Sequence, residues 1–234
     1  MEKKAIIVGA SSGIGLEVAR LLKKKGWTVG VAARRMELLN EFEIAERIDV
    51  TTADAGEKLL QLVRRMGGMD LYFHVSGIGH QNRALDEQIE LSTMETNGTG
   101  FVRMVGTAYR YMAEHDGGHI AVVSSIAGTK GLGPAPSYSA TKALQNTYIE
   151  ALEQLANANR LNISFTDIRP GFVATDLLND GNHYPMLLDK KNVARDIVDS
   201  LERRRHVRVI DWRWRIVTAF WRLHPRWIWR QLKV

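Results

Sequence analysis

Three residues of this chain have types and spacing suited to acid–base chemistry. They are Ser125, Tyr138 thirteen positions later, and Lys142 four beyond that. A phenol is a poor acid, with a reference pKa of about 10, and an ammonium held beside it favours the phenolate. Spacing i, i+4 puts Tyr138 and Lys142 on one helix face, and the Ala, Leu, Gln and Glu content of 137–157 predicts that helix. A phenol tuned in this way can pass a proton to a carbonyl oxygen or take one from an alcohol. Ser125 would hydrogen-bond the same oxygen. Tyr-x3-Lys alone arises often by chance, so the elements that position it decide its worth.

Those elements alternate from the start. Residues 4–9 are a short apolar run ending in glycine, as a buried parallel strand requires. Apolar positions 14, 18, 21 and 22 then follow a helical period, and Gly26 stops it. Further strands are predicted at 27–33, 44–49, 69–76, 119–124, 162–168 and 207–210. Helices are predicted at 57–66, 96–114, 137–157 and 192–204. Repeated β-α alternation predicts an α/β fold, a doubly wound, Rossmann-type, mostly parallel sheet with helices on both faces. A length of 234 residues suffices for one large core. The expected organisation is a single domain, 1–211, with an amphipathic, basic tail at 212–234.

The first strand runs into Gly9-Ala10-Ser11-Ser12-Gly13-Ile14-Gly15 and then a helix. Glycines there permit a tight turn and let backbone N–H groups approach a pyrophosphate at a helix N-terminus. An ordinary glycine-rich βα turn is the bland alternative, and the position between first strand and first helix argues against it. Enzymes that select NAD place an acid at the end of the second strand. Here that strand ends in Arg34-Arg35, and guanidinium suits a phosphate through charge and bidentate geometry. A 2′-phosphate, and hence NADP, is the expected cofactor, with the Ser11 and Ser12 hydroxyls adding to the grip.

In motif order over roughly 4–211, the chain resembles the short-chain dehydrogenase/reductase family in its compact single-domain form. The loop Gly9–Gly15 matches the family's TGxxxGIG, with Val8 in place of threonine. The resemblance implies that Gly9, Ser11, Ser12, Gly13, Ile14 and Gly15 hold the pyrophosphate and that Asp49 and Val50 touch adenine. It implies that Gly77 lets the ribose approach, and that Pro170, Gly171, Val173 and Thr175 hold the nicotinamide carboxamide. The catalytic set it implies is Asn97, Ser125, Tyr138 and Lys142. Serine-to-tyrosine spacing selects Ser125 over Ser124. Tyr138 would act as acid or base and Lys142 would lower its pKa and bind ribose. Asn97 would support a water-mediated proton path to Lys142. One departure stands out: the family's NNAG appears as His74-Val75-Ser76-Gly77, which calls local bracing of the strands into question. His74 reads as a structural histidine.

The implied activity is hydride transfer between NADP(H) and a carbonyl or alcohol. Loops 78–88, 126–136 and 176–190 supply Ile126, Leu177, Tyr184 and Met186, and Phe172 lies just before the last of them, which hints at an apolar small-molecule substrate. A non-catalytic NADP-binding sensor is the competing reading, and a related epimerase or dehydratase a third. No metal-ligand spacing appears among the seven histidines. Absence of cysteine fits a cytoplasmic protein, and residues 1–10 lack the apolar region of a signal peptide. A homo-oligomer is the expected assembly.

The net charge of +6 conceals an asymmetry: residues 203–234 contribute +9, leaving −3 for the rest. Five of six tryptophans also lie there, at 212, 214, 221, 227 and 229. Trp212, Ile216, Phe220 and Leu223 share a helical face, and Pro225 should end the helix near His224. Packing on the domain or a second subunit is the plainest reading. Peripheral membrane contact comes next, and nucleic acid last.

Overall fold

A computed structural model describes residues 3–178, 181 and 183–232. The chain alternates as β1 (Lys4–Val8), α1 (Gly13–Lys24), β2 (Thr28–Ala33), β3 (Ile44–Arg47), α2 (Ala55–Met66) and β4 (Leu71–His74). It continues with α3 (Glu87–Met94), α4 (Phe101–Glu114), β5 (Gly118–Val123), α5 (Pro136–Ala158), β6 (Ile163–Pro170) and α6 (Lys190–Glu202). After β7 (Val207–Ile210) come α7 (Trp212–Leu223) and a single turn, α8 (Arg226–Trp229). The strands form one 7-stranded sheet in the order β3-β2-β1-β4-β5-β6-β7, and every pairing is parallel. This is the Rossmann-type α/β fold expected from the alternation.

A parallel sheet needs both faces covered. One face buries Val18, Leu22, Ile197 and Leu201 from α1 and α6. The other buries Leu59, Leu62, Phe101, Met104 and Ile149 from α2, α4 and α5. Trp214 of α7 is 3% exposed and belongs to the first of these clusters. Three helices are capped by an aspartate whose carboxylate accepts a first-turn N–H: Asp86 for α3, Asp189 for α6 and Asp211 for α7. Such caps contribute about 1 kcal/mol each.

The chain order reverses between β1 and β4, which opens a crevice at their carboxyl ends, where α/β sheets bind ligands. Gly9 ends β1 there with φ +97, and a Cβ on it would lie 2.5 Å from Ser76 N. The bracing questioned by the loss of NNAG is done by backbone: Val75 N and Ser76 N both donate to Val8 O, at 2.8 and 2.9 Å.

Two differences from the sequence reading concern helices. Helix α3 was not foreseen, because 87–94 carries no clear apolar stripe. The helix expected from residue 96 opens instead with a π-helical stretch, Glu95–Gly100, that joins α3 to α4. Such stretches recur at functional sites.

Candidate active site

Asn97 lies in the π-helical stretch and is fully buried. Its side chain clamps the loop after β4: Nδ2 donates to Ile78 O at 2.6 Å, and Oδ1 accepts from Ile78 N at 2.9 Å. Its backbone carbonyl accepts from Gln145 Nε2 at 2.9 Å, and Gln145 Oε1 accepts from Lys142 Nζ at 3.0 Å. A buried glutamine side chain thus joins the Asn97 backbone to Lys142. Sequence reading missed Gln145, although a polar side chain three residues past the lysine was a usable signal.

Lys142 also donates to Val123 O at 3.0 Å. Two of its three N–H groups are therefore committed, and the ammonium lies 5.6 Å from the centre of the Tyr138 ring. Burial lowers the Lys142 pKa to about 8, against an upward pull from Asp167. Asp167 is itself buried, accepting from Ser124 Oγ and, at 2.7 Å, from Arg169 Nε. Adjacent residues at a strand end point to opposite sides. Ser124 accordingly serves Asp167, while Ser125 Oγ accepts from Ala127 N at 3.1 Å and hydrogen-bonds Tyr138.

The expected depression of the Tyr138 pKa is not found. Burial raises it above the usual phenol value, with only the Ser125 hydrogen bond pulling it down. Desolvation of the buried hydroxyl dominates, and the Lys142 ammonium, 5.6 Å from the ring centre, does not offset it. The phenol therefore stays protonated at neutral pH, ready to donate. Its ring lies over Gly79, where a Cβ would come within 2.7 Å of Tyr138 Cε2. Gly79 is a second residue that sequence reading missed. At Gly77, a Cβ would sit 3.1 Å from Asn97 Oδ1 and 3.8 Å from Lys142 Nζ.

The glycine loop borders the same crevice. Gly13 has φ +58, and a Cβ there would meet Thr175 Cγ2 at 3.2 Å. A Cβ on Gly15 would lie 2.3 Å from Gly9 O. The N-terminus of α1 differs from those of α3, α6 and α7 in that Ser12 makes no side-chain cap, and, as in α6 and α7, its first turn holds no acid. Its N–H groups and dipole suit an external anion. Ile14 is partly buried in that first turn. Arg35 reaches the loop, with Nη2 3.3 Å from Ser11 Oγ and 3.2 Å from Ser12 Oγ. Arg34 instead exerts its charge on Asp49. Burial pushes the Asp49 carboxyl up, but bonds from Thr51 and the charges of Arg34 and Arg47 bring it below its usual value. Val50 is buried, and its carbonyl accepts from Arg103 Nη1 at 2.8 Å.

Pro170 ends β6, and Gly171 N donates to Ile210 O at 2.8 Å. Val173 bridges Leu188, and Thr175 Oγ1 donates to Val173 O at 3.3 Å. Trp214 covers Gly171 so closely that a Cβ would lie 2.1 Å from its Nε1. Phe172 packs against Tyr184 and Trp214 with ring centres 4.8 and 5.3 Å apart. Of the expected apolar lining, Ile126 belongs to the core rather than the crevice. Residues 179, 180 and 182 of the 176–190 loop lie outside the described residues. His74 is structural: its Nδ1 shares a 2.8 Å hydrogen bond with Tyr72 OH, and Phe101 packs edge-on against it. Burial, then the Lys142 charge, lowers its pKa to about 3, so it is neutral at physiological pH.

The sequence profile of the short chain dehydrogenases matches residues 3–184. The chain belongs to the short-chain dehydrogenase family. An uncharacterized oxidoreductase of Myxococcus xanthus is 34% identical over 197 residues, covering 79% of this chain and 77% of that one. One from Staphylococcus aureus is 28% identical over 222 residues, covering 89% and 94%. Among solved structures, an alcohol dehydrogenase from Thermococcus sibiricus complexed with 5-hydroxy-NADP superposes with a TM-score of 0.78 at 22% identity, covering 90% of this chain and 95% of that one. A variant of actinorhodin polyketide ketoreductase with NADPH superposes at 0.77 and 26% identity, covering 89% and 95%. This short-chain dehydrogenase is an oxidoreductase with a Rossmann-type fold, and among its described residues no helix is long and apolar enough to cross a membrane.

Proposed function

We propose that this short-chain dehydrogenase reduces a carbonyl compound with NADPH, with Tyr138 as the proton donor. The observation that carries the reading is the convergence of Ser125, Tyr138 and Lys142 in the crevice onto which the uncapped N-terminus of α1 opens. The residues fit a dinucleotide. Gly9, Gly13 and Gly15 leave backbone room, the first turn of α1 has spare N–H groups, and Arg35 stands where a 2′-phosphate would need a cation. Arg34, Ser11, Ser12, Ile14, Asp49, Val50 and Gly77 would complete the nucleotide half, with Pro170, Gly171, Val173 and Thr175 at the nicotinamide end. The ketoreductase neighbour with NADPH supports the same choice.

Held by these residues, NADPH would supply the hydride for the carbonyl carbon. Ser125 holds the carbonyl oxygen, and Tyr138 gives that oxygen its proton as the C=O bond is reduced to an alcohol. A phenol raised by burial is protonated when reduction begins, as a proton donor must be. Lys142 keeps one N–H for the phenol side of the site and for ribose, while Asn97 fixes the loop that carries Gly77 and Gly79. Phe172, Tyr184 and Met186 favour an apolar substrate.

The test follows NADPH absorbance against ketones, aldehydes, quinones and sugars, with Tyr138→Phe beside wild type. Loss of about 100- to 10,000-fold in turnover with cofactor binding retained is expected. Equal rates for the two proteins would remove Tyr138 from the mechanism. NADPH binding without turnover of any class would favour the sensor reading.

A further inference from the structure

Helices α7 and α8 have two contrasting faces. The inner face is fixed to the domain: Trp214 and Thr218 are buried, and Trp221 packs on Trp229 at 5.3 Å. Trp229 Nε1 donates to Gly131 O at 2.8 Å, and Lys130 Nζ donates to His224 O at 2.9 Å. The outer face is apolar. Trp212, Ile216, Phe220 and Leu223 form a stripe at spacings of four, four and three, Trp227 of α8 is exposed as well, and these five are 49–76% exposed. Isolated exposed apolar residues need no explanation, whereas a contiguous stripe of this size marks an interaction surface.

Charge decides what covers it. Arg213 flanks the stripe on one side and is paired with Asp211. On the other side Arg215 and Arg222 have no carboxylate partner among the described residues. They border a cleft of about 340 Å³ between β7 and α7, whose other arginines, Arg205 and Arg208, are paired with Asp199 and Asp196. A second copy packed on this face through the same stripe would bring a second set of unpaired arginines to its border. From Trp212 onward neither helix carries an acid to relieve that. A single-stranded nucleic acid could use the cations but gains no stacking from Ile216 or Leu223. An anionic bilayer satisfies both parts, with apolar side chains and indoles in the interfacial layer and guanidiniums on lipid phosphates.

We propose that the outer face of α7 and α8 docks peripherally on an anionic lipid bilayer, with Trp212, Ile216, Phe220, Leu223 and Trp227 in the interface and Arg215 and Arg222 on lipid phosphates. The opposite face of α7 presents Trp214 to Phe172 and Gly171, so docking sets the crevice beside the membrane, where an apolar carbonyl compound would partition.

The experiment sediments the full-length protein with vesicles of phosphatidylcholine alone and of phosphatidylcholine with phosphatidylglycerol. It includes the double variants Ile216→Ser/Phe220→Ser and Arg215→Gln/Arg222→Gln. All four positions are exposed, so the fold should persist, which circular dichroism checks. Sedimentation with the mixed vesicles is expected, with binding on the order of tenfold weaker to phosphatidylcholine alone and for each double variant. Equal binding by the variants, or no binding to mixed vesicles, overturns the proposal. So does a dimer that Ile216→Ser/Phe220→Ser makes monomeric without any effect of lipid, or an oligonucleotide bound through Arg215 and Arg222 by a protein that does not sediment with vesicles. The readout does not involve turnover, so its failure is separate from that of the reductase reading.

Discussion

Gln145 Oε1 accepts a hydrogen bond from Lys142 Nζ at 3.0 Å, and the same amide donates to Asn97 O. The acceptor stabilises the charged lysine. Replacing it with the apolar, similar-sized Met leaves a buried ammonium and a buried carbonyl short of partners, at a cost of about 1–3 kcal/mol. Gln145→Met is expected to move the alkaline limb of the kcat/KM profile to lower pH, because the Lys142 proton is then held less tightly. Lowered stability with an unmoved limb would make Gln145 purely structural.

Gly79 leaves no space beside the Tyr138 ring. In Gly79→Ala the added methyl must displace that ring, and with it the proton donor. Turnover is expected to fall at least about tenfold, since small misplacements at a reacting centre are costly, with NADPH affinity little changed. Fluorescence titration of NADPH alongside steady-state rates separates the two effects.

Arg35 is the cation that reaches Ser11 and Ser12. Arg35→Ser should weaken NADPH binding by about tenfold or more while leaving NADH binding almost unchanged, because only the 2′-phosphate loses a charged partner. Parallel weakening of both cofactors would place Arg35 elsewhere in the site.

The buried cations make stability depend on pH with a definite sign. Lys142 is lowered from 10.5 to about 8 in the fold, so between those values the unfolded chain binds more protons. Wild-type stability should therefore rise relative to Lys142→Met from pH 8 towards 10.5, by roughly 3 kcal/mol in total. His74 and His119 are lowered from 6.5 to about 3 and about 4 by burial. Their contribution is complete above pH 6.5 and lost as pH falls below it, which should steepen acid unfolding. Urea midpoints for wild type and single variants across pH measure both limbs.

Much of this was legible in the residues, for reasons that differ by element. β-α alternation is a strong periodic signal, and the strand expected at 207–210 is β7 with the same bounds. The convergence of Ser125, Tyr138 and Lys142 followed from helical spacing and motif order. Gln145 and Gly79 were hidden because their roles depend on contacts with a distant segment and with a ring, neither of which local pattern encodes. The phenol's pKa was misjudged for a related reason: spacing gives proximity to an ammonium but not the desolvation that opposes it. Helix α3 escaped because its placement against α5 is made by capping and polar contacts, such as Ser137 N to Glu90 Oε2 at 3.1 Å, rather than by an apolar stripe.

The π-helical stretch Glu95–Gly100 acts as a phase shifter in an otherwise continuous rod. An α-helix advances about 100° per residue, so one extra residue resets which way everything downstream faces. With it, the rod can aim Asn97 at the crevice and still turn Phe101, Met104, Val105 and Met112 into the sheet. Deleting any residue of 95–100 other than Asn97 would oblige the chain to choose between its core and its chemistry, even though no catalytic side chain had been removed.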